Sequence, residues 1–182
     1  NYWNPALPRF SGDRNEYHGA YGFRIRNNFG FDQLERAYLT LKNNPDSRQT
    51  VLLIWDQRID LPDELGRPAN EDIPCNICSL LKVRDNKLEW TQIMRSNDIY
   101  LGLPYNFIQF TSLKEILAGW LNLNLGAYCH YSDSLHLYRK ELPNIQISKV
   151  KGLKNKDSLM VEKNECYKII NQIYNNMVEI VS

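Results

Sequence analysis

One stretch, RSNDIYLGLPYN at 95–106, constrains the fold and function of this chain more than any other. Its first half supplies side chains suited to an anionic, hydrogen-bonding ligand, namely Arg95, Ser96 and Asp98. Gly102 and Pro104 then bend and stiffen the backbone, and Asn106 ends the stretch with an amide that both donates and accepts. An apolar helical pattern follows directly. Polar groups that converge on a turn before a buried helix predict a binding site on a rigid support.

The composition is that of one globular domain. The chain has 182 residues, of which 43% are hydrophobic and 24% charged, so it can bury a sizeable core. A net charge of +1 gives no general attraction to polyanions. No apolar run is long enough to span a bilayer, and the start NYWNPALPRF has neither a basic leader nor an apolar run. We therefore expect a cytoplasmic protein without a signal peptide.

The four cysteines lack the density of a disulfide scaffold. Cys75 and Cys78 form a C-x-x-C pair, a spacing that zinc sites and redox pairs both use. Zinc needs two further ligands, and the other cysteines and histidines are scattered along the chain. A thioredoxin-type pair would open a helix, whereas this one begins an extended run. The sequence therefore predicts reduced cysteines and no metal site.

Periodicity predicts a mixture of helices and strands. Apolar residues at helical spacing predict helices at 31–43, about 105–122 and about 158–180. Extended patterns predict a short strand near 21–26 and strands at 49–55, 77–83, 87–94 and 127–139. The run at 49–55 is continuously apolar, which predicts burial on both faces. Asp85-Asn86 is typical of a hairpin turn. The lysine-rich stretch 140–157 has no clear period, and is either a solvated loop or a contact for an anionic partner.

The stretch 95–106 resembles the RS-x-D-x-x-LGLPFN signature of thymidylate synthases. Further matches are YGFRIR at 21–26, DSR at 46–48, Ile-Pro-Cys at 73–75 and HLY at 136–138. The spacings from Cys75 to Arg95 and from Asn106 to His136 also fit, so the resemblance covers about residues 1–140. It implies one α+β domain over 1–182, with a large mixed β-sheet and helices on one face. It also implies a homodimer in which two such sheets stack back to back and the active sites are shared, with the strands at 51–55 and 87–94 suited to that contact.

The resemblance implies catalytic roles for Cys75, Arg95, Asp98 and Asn106. A Cys75 thiolate would add to C6 of a pyrimidine and make C5 nucleophilic, and a nearby cation favours the thiolate. Arg95 would lie close to this sulfur and to the nucleotide phosphate. The alternative is that Cys75 is only a buried cysteine at a strand end.

Phosphate binding is implied for Arg95 and Ser96, the first by a charged fork and the second by its hydroxyl. Arg48 matches an arginine that the family lends to the partner subunit, although it could be an ordinary turn residue. Gln49 stands where a second arginine is expected, so the site has one positive charge fewer. A weaker phosphate clamp or a different anion is consistent with this change.

Asn106 would recognise the pyrimidine edge, accepting from N3–H and donating to O4 of uracil. Related cytidylate hydroxymethylases are expected to carry an aspartate there, so Asn106 indicates a uracil nucleotide such as deoxyuridylate. Its alternative role is capping of the following helix. His136 and Tyr138 match a pair that binds the sugar 3′-hydroxyl, or else they form the polar face of a half-buried strand.

The implied cofactor is 5,10-methylenetetrahydrofolate. Asp98 would hold its pterin ring, and Leu101 and Gly102 would line the slot. Tyr21 is a weaker match to the wall of the active site. No nucleic acid or membrane partner is expected.

The chain also departs from the family. Asn76 replaces the histidine of Pro-Cys-His, and Leu80 stands where a glutamine is expected. Both changes should weaken the handling of ordered water and of protons at the base. The family's catalytic glutamate would lie before residue 1, and the closing C-terminal tail has no counterpart in NQIYNNMVEIVS.

Three functions remain open from the sequence. The first is methyl transfer to C5 of a uracil nucleotide, and the second is hydroxymethyl transfer on the same scaffold, with water replacing hydride. The third is a nucleotide-binding homologue without turnover. Product mass separates the first two, and binding without turnover identifies the third.

Overall fold

The computed structural model describes residues 17–145, residue 152 and residues 155–181. In chain order its elements are α1 (Tyr21–Arg26), α2 (Gln33–Asn43), β1 (Val51–Leu53), α3 (Gln57–Asp60), β2 (Asn76–Arg84), β3 (Lys87–Asp98), α4 (Leu103–Leu121), β4 (Asn124–His136), a 3₁₀ helix (Arg139–Asn144) and α5 (Lys163–Val181). The three predicted helices are confirmed, with shifted ends. Part of the stretch 140–157 lies outside the described residues.

The strands form one mixed sheet in the order β1-β2-β3-β4. The β1–β2 and β2–β3 pairs are antiparallel, and the β3–β4 pair is parallel. Asp85 and Asn86 join β2 to β3 with φ of 49° and 56°. Two consecutive residues at positive φ form a tight turn whose twist matches that of its strands, so the predicted hairpin is confirmed. The sheet and its helices form an α+β fold, as predicted.

The core lies between this sheet and helices α2 and α4. Alternation along β3 buries Leu88, Trp90 and Met94 completely. Helix α4 supplies Phe110 and Leu117, which are also fully buried. Strand β3 continues four residues past its predicted end, because parallel pairing with β4 extends to Asp98. The rigid junction between β3 and α4 therefore holds both ends of the stretch 95–106.

The strand predicted near 21–26 is wrong, because these residues form helix α1. Two neighbouring side chains, Arg24 and Ile25, are only 1% and 3% exposed. Adjacent residues on a strand point to opposite faces, so a half-buried strand would not bury both. Arg24 is tolerated inside because its guanidinium makes hydrogen bonds of 3.0 and 2.8 Å to the two carboxylate oxygens of Asp60.

The prediction that residues 49–55 form a strand buried on both faces is also wrong. The strand is confined to β1, and its flanking side chains Val51 and Leu53 are each 42% exposed. Leu52 and Ile54 fill the core. The continuous apolar run therefore gives one buried face and one exposed apolar face.

Helix α5 contacts the rest of the fold near its first turn. The Lys163 ammonium pairs with Glu35 and lies 4.3 Å from the centre of the Tyr38 ring. Just before the helix, the backbone passes so close to α4 that a Cβ on Gly119 would lie 2.6 Å from the Val161 nitrogen. Further along, α5 exposes a series of apolar side chains: Ile169, Ile170, Ile173, Tyr174, Met177, Val178 and Ile180.

Candidate active site

Cys75 and Arg95 lie side by side at the open end of the β2–β3 hairpin. The Arg95 amide donates to the Cys75 carbonyl at 3.0 Å. The guanidinium is held by the Pro74 carbonyl, to which Nε donates at 3.0 Å, and it lies 5.3 Å from the centre of the Trp55 ring. The structure therefore brings the predicted nucleophile and its predicted cation together.

Three effects act on the pKa of the Cys75 thiol, two that raise it and one that lowers it. Burial raises its pKa, the Arg95 guanidinium lowers it, and the Asp72 carboxylate raises it. Because burial dominates, the resting group is a thiol, and Arg95 is the charge that favours the thiolate. Burial and the nearby Cys75 also raise the pKa of Tyr21, whereas hydrogen bonds from the Asn76 side chain and the Cys75 backbone lower it. Tyr21 therefore lies against the same site.

A buried chain of carboxamides begins beside Cys75. The Gln92 amide donates to Asn76 Oδ1 at 2.8 Å, and the Asn76 amide donates to Asn106 Oδ1 at 3.4 Å. The Asn106 amide in turn donates to Asn97 Oδ1 at 3.2 Å. Relative exposures are 0% for Gln92 and Asn76, 9% for Asn106 and 2% for Asn97. We call these four residues the amide chain. Each link satisfies a polar group that would be costly to bury alone.

Polar groups also occupy both ends of the amide chain. At one end, Gln92 Oε1 accepts from the Trp90 indole at 3.2 Å and from the Ser79 hydroxyl at 2.6 Å. At the other, the Asn97 amide lies 3.1 Å from Ser132 Oγ and 3.1 Å from His130 Nε2. Burial lowers the pKa of His130, which favours the neutral ring with an accepting nitrogen.

The alternative capping role for Asn106 is excluded by its position. Helix α4 has Gly102 at its N-cap and begins at Leu103, so Asn106 lies inside the first turn. Its side chain bonds to Asn76 and Asn97 instead. One lone pair and one N–H of the carboxamide remain after these two bonds, which is a donor–acceptor pair of the kind that a pyrimidine edge requires.

His136 and Tyr138 are neighbours at the end of β4. Their ring centres are 5.0 Å apart, with the rings nearly perpendicular. Asp98 is the β3 residue opposite His136 in the parallel pair. One Asp98 oxygen accepts from the backbone of Tyr100 at 2.7 Å and of Leu101 at 3.2 Å, which fixes the turn before α4. These contacts place the predicted sugar and cofactor residues together.

The predicted phosphate residues are placed less uniformly. Ser96 follows Arg95 directly on β3 and is half-buried. Arg48 is exposed on the turn between α2 and β1, and within the described parts of the chain its side chain makes no hydrogen bond or ion pair. Gln49 is also exposed. The Arg48 side chain is therefore exposed at the surface and lies apart from the buried amide chain.

Gln92, Asn97 and His130 were not predicted from the sequence. Leu80, where the resemblance expected a glutamine, is 40% exposed, while Gln92 on the neighbouring strand bonds to Asn76 inside. Alternation along β3 contained a signal, because it puts a glutamine on the same buried face as Trp90. No local pattern indicated Asn97 or His130, which meet 33 residues apart.

Two further observations concern the described residues only. They contain no group of three or more histidines, cysteines or carboxylates that could hold a metal ion, and no helix in them is both long and apolar enough to cross a membrane. A separate open cavity of about 680 Å³ lies between Phe31, Leu53 and Arg58, and it includes none of the predicted site residues.

The fold and the site thus define an α+β domain with a candidate nucleophilic thiol beside a guanidinium and a buried carboxamide. Comparisons with known proteins extend this description. A family model for thymidylate synthase matches residues 1–181. The chain is 35% identical over 147 residues to a deoxyuridylate hydroxymethyltransferase of Bacillus phage SP01, covering 75% of this chain and 37% of that protein.

Other relatives agree. A putative thymidylate synthase of Methanothermobacter thermautotrophicus is 34% identical over 128 residues, covering 70% of this chain and 54% of that protein. Among solved structures, thermostable thymidylate synthase A from Bacillus subtilis superposes with a TM-score of 0.61 at 29% identity, covering 76% of this chain and 49% of that one. The chain belongs to the thymidylate synthase family, and it spans between about a third and a little over half of the length of these relatives.

Proposed function

We propose that the protein transfers a one-carbon unit to C5 of a uracil nucleotide such as deoxyuridylate, through a covalent bond between Cys75 and C6. One observation supports this most directly. The Cys75 thiol lies beside the Arg95 guanidinium, which lowers its pKa, and the next residue, Asn76, donates to the carboxamide of Asn106. A nucleophile, its activating cation and a group that can recognise a pyrimidine edge therefore meet within three elements of the fold.

The chemistry follows from these side chains. When the Cys75 thiolate adds to C6, the sulfur–carbon bond forms and the electrons of the C5–C6 double bond shift toward C5 and O4. An N–H of Asn106 at O4 stabilises the negative charge that develops there. After C5 has bonded to the one-carbon unit, its proton passes to a base. The bond between the one-carbon unit and the folate nitrogen would then break, hydride or water would add to the exocyclic carbon, and expulsion of the thiolate from C6 would restore the double bond.

The nucleotide would be held at both of its polar ends. Arg95 and Ser96 suit the phosphate, and Arg48 would reach it from a partner subunit. His136 and Tyr138 would bind the sugar 3′-hydroxyl. Because Gln49 is neutral, the phosphate clamp has one cation fewer than the family pattern.

The cofactor proposed is methylenetetrahydrofolate, which supplies the one-carbon unit and, in methyl transfer, the hydride. The residues of this chain fit such a group. Asp98 is an acceptor for ring N–H groups, and Leu101, 51% exposed, offers apolar surface beside it. Gly102 keeps the turn tight, because a Cβ there would lie 2.9 Å from Asn97 Oδ1.

Hydroxymethyl transfer is the second candidate. The relatives from Bacillus phage SP01 and Pseudomonas phage M6 are named deoxyuridylate hydroxymethyltransferase, at 35% and 36% identity. In that reaction water captures the exocyclic carbon, so the product carries one more oxygen than thymidylate. Mass spectrometry of the nucleotide product distinguishes the two outcomes.

A homodimer with shared sites is part of the proposal. Around β1 the exposed face of the sheet carries the apolar side chains of Val51, Leu53 and Leu80, each at least 40% exposed, and such a patch suits a two-fold contact. A cytoplasmic location would keep the Cys75 thiol reduced. Mixing Arg48→Ala subunits with Cys75→Ala subunits should restore activity in part of the mixed dimers. Mixed dimers without activity would contradict shared sites.

The main test uses 5-fluorodeoxyuridylate with methylenetetrahydrofolate and the full-length protein. We expect a covalent adduct on the peptide that contains Cys75, detected by mass spectrometry. The adduct should be absent in Cys75→Ser and retained in Cys78→Ser, a matched control three residues away. Nucleotide binding without an adduct would indicate the non-catalytic homologue instead.

A further inference from the structure

The amide chain has a direction, because one of its ends can only donate. The indole nitrogen of Trp90 carries a hydrogen and no lone pair for a hydrogen bond, so its partner must be an acceptor. That partner is Gln92 Oε1, at 3.2 Å. The oxygen of Gln92 is thereby assigned to the Trp90 side, and its NH₂ group must point to Asn76.

This direction passes through each carboxamide in turn. Since Gln92 donates to Asn76 Oδ1, the Asn76 NH₂ group faces Asn106 and meets an oxygen there. The NH₂ group of Asn106 then faces Asn97 Oδ1. At the far end, the Asn97 NH₂ group meets His130 Nε2, which accepts in the neutral ring while Nδ1 donates to the Tyr128 hydroxyl. Every link is consistent with the donor at Trp90.

The direction matters at Asn106, whose carboxamide has nearly the same shape in its two orientations. In the orientation set by the chain, its remaining lone pair suits N3–H of uracil and its remaining N–H suits O4. With nitrogen and oxygen exchanged, the same group would instead suit the N3 acceptor and amino donor of cytosine. Base preference would therefore depend on the groups that orient Asn106.

We propose that Trp90, Gln92 and Asn76 are specificity-determining positioning residues, which hold the Asn106 carboxamide in the orientation that accepts uracil and disfavours cytosine. This inference rests on the proposed function, since it assumes that Asn106 binds the base. None of the three need touch the nucleotide. Their effect is transmitted through hydrogen bonds that are buried from Trp90 to Asn106.

Two isosteric variants on either side of Asn106 test the direction. Asn76→Asp replaces the donor that faces Asn106 by an acceptor, so Asn106 must turn its NH₂ group toward position 76. Asn97→Asp retains the acceptor that Asn106 already uses, so its orientation is kept. Both variants introduce one buried carboxylate beside the same residue, which makes each the control for the other. A purely structural role predicts the same change in both.

The measurement is calorimetric binding of deoxyuridylate and of deoxycytidylate to the full-length protein. We expect the preference for deoxyuridylate to fall by at least about tenfold in Asn76→Asp and to stay within about threefold of the wild type in Asn97→Asp. Gln92→Glu should act like Asn76→Asp from one link further away, because its two oxygens only accept. Equal preferences in Asn76→Asp and Asn97→Asp would overturn the inference.

A variant without a buried charge covers the case in which the carboxylates prevent folding. Ser79→Ala combined with Trp90→Phe removes both donors to Gln92 Oε1. We expect this double variant to bind deoxyuridylate and deoxycytidylate with nearly equal affinity. Trp120→Phe is the control, because the buried Trp120 indole nitrogen has no hydrogen-bond partner within the described residues. An unchanged preference in the double variant overturns the inference. If the wild type binds neither nucleotide, the proposed function itself fails and this inference fails with it.

Discussion

Two buried polar networks in this protein differ in charge and in what they hold. The amide chain is neutral and connects β2, β3 and α4 around Asn106. The ionic cluster, which consists of Arg24, Asp60, His18 and Asp56, connects α1 and α3. Arg24 and Asp60 are each 1% exposed, and the residues of the amide chain are at most 9% exposed. In the amide chain, Asn106 keeps one N–H and one lone pair that a bound base can use. The comparison suggests that buried charges here secure the fold, while neutral amides orient the site.

The largest effect should come from the ionic cluster. Asp60→Asn removes the charge that faces the buried Arg24 guanidinium, and loss of one partner of a buried ion pair costs about 3–5 kcal/mol of unfolding free energy. Urea denaturation measures this loss. Asp63→Asn, which breaks the exposed pair with Arg67, should leave stability nearly unchanged. Similar urea midpoints for Asp60→Asn and Asp63→Asn would contradict the stabilising role assigned to the ionic cluster.

A smaller effect is expected from the amide chain. Gln92→Leu keeps the approximate volume but leaves the Trp90 indole and the Asn76 oxygen without their partner, at a cost of about 1–3 kcal/mol. Gln109→Leu on the exposed side of α4 is the matched control. The same urea titration compares all variants, and a loss at Gln92 exceeding that of Asp60→Asn would reverse the proposed ranking.

Acid should separate the networks further. Hydrogen bonds from Arg58 hold the pKa of Asp56 well below its usual range, although burial acts in the opposite direction. A folded-state pKa below the unfolded value of about 4 stabilises the fold above that pH, and the contribution is lost as the pH falls toward the folded-state pKa. Asp56→Asn should therefore show a shallower loss of unfolding free energy below about pH 4.

The control for this acid effect is the neutral network. Gln92→Leu alters no titrating group, so its stability should fall with acid in parallel with the wild type. Because the Arg58 side chain is 68% exposed, added salt should reduce the difference between Asp56→Asn and the wild type. Parallel acid profiles for Asp56→Asn and the wild type would contradict the assignment.

The smallest effect on stability should occur at the site itself. Arg95→Met removes the cation that lowers the pKa of Cys75, so the pH profile of Cys75 alkylation by iodoacetamide should shift to higher pH. Peptide mapping separates this cysteine from Cys78, whose pKa is raised by burial alone and whose profile should not move. A shift to lower pH in Arg95→Met would contradict the proposed role of the guanidinium.

Local signals account for what the sequence predicted well. The Asp85-Asn86 turn and the apolar periodicity of α4 depend on residues close in the chain, and both were located correctly. The strand prediction for 21–26 was wrong because the alternating pattern there belongs to a helix. The burial of Arg24 in that helix depends on Asp60, 36 residues away. A local pattern does not contain that partner.

The residues of the candidate site that could be predicted are those that lie in short sequence motifs. Arg95 and Asn106 came from the motif at 95–106, and Cys75 came from the Ile-Pro-Cys match and its spacing to Arg95. The structure places Cys75 beside Arg95 and links Asn76, the next residue, to Asn106. The residues that orient Asn106 were missed, apart from Asn76, because they act across strands. Their partners become visible only when β3 is placed between β2 and β4. Gln92 then bonds to Asn76 on β2, and Asn97 bonds to His130 and Ser132 on β4.

The two-residue turn at Asp85-Asn86 has a consequence for how this site could change over evolution. Counting outward from the turn determines which residue of β2 faces which residue of β3, up to the irregularity between Asn76 and Cys78. Inserting a single residue near the turn would move one strand along the other and invert which side chains point inward. The Cys75 thiol and the Arg95 guanidinium would then be separated without either residue being mutated, so lineages that keep the chemistry should rarely change the length of the turn.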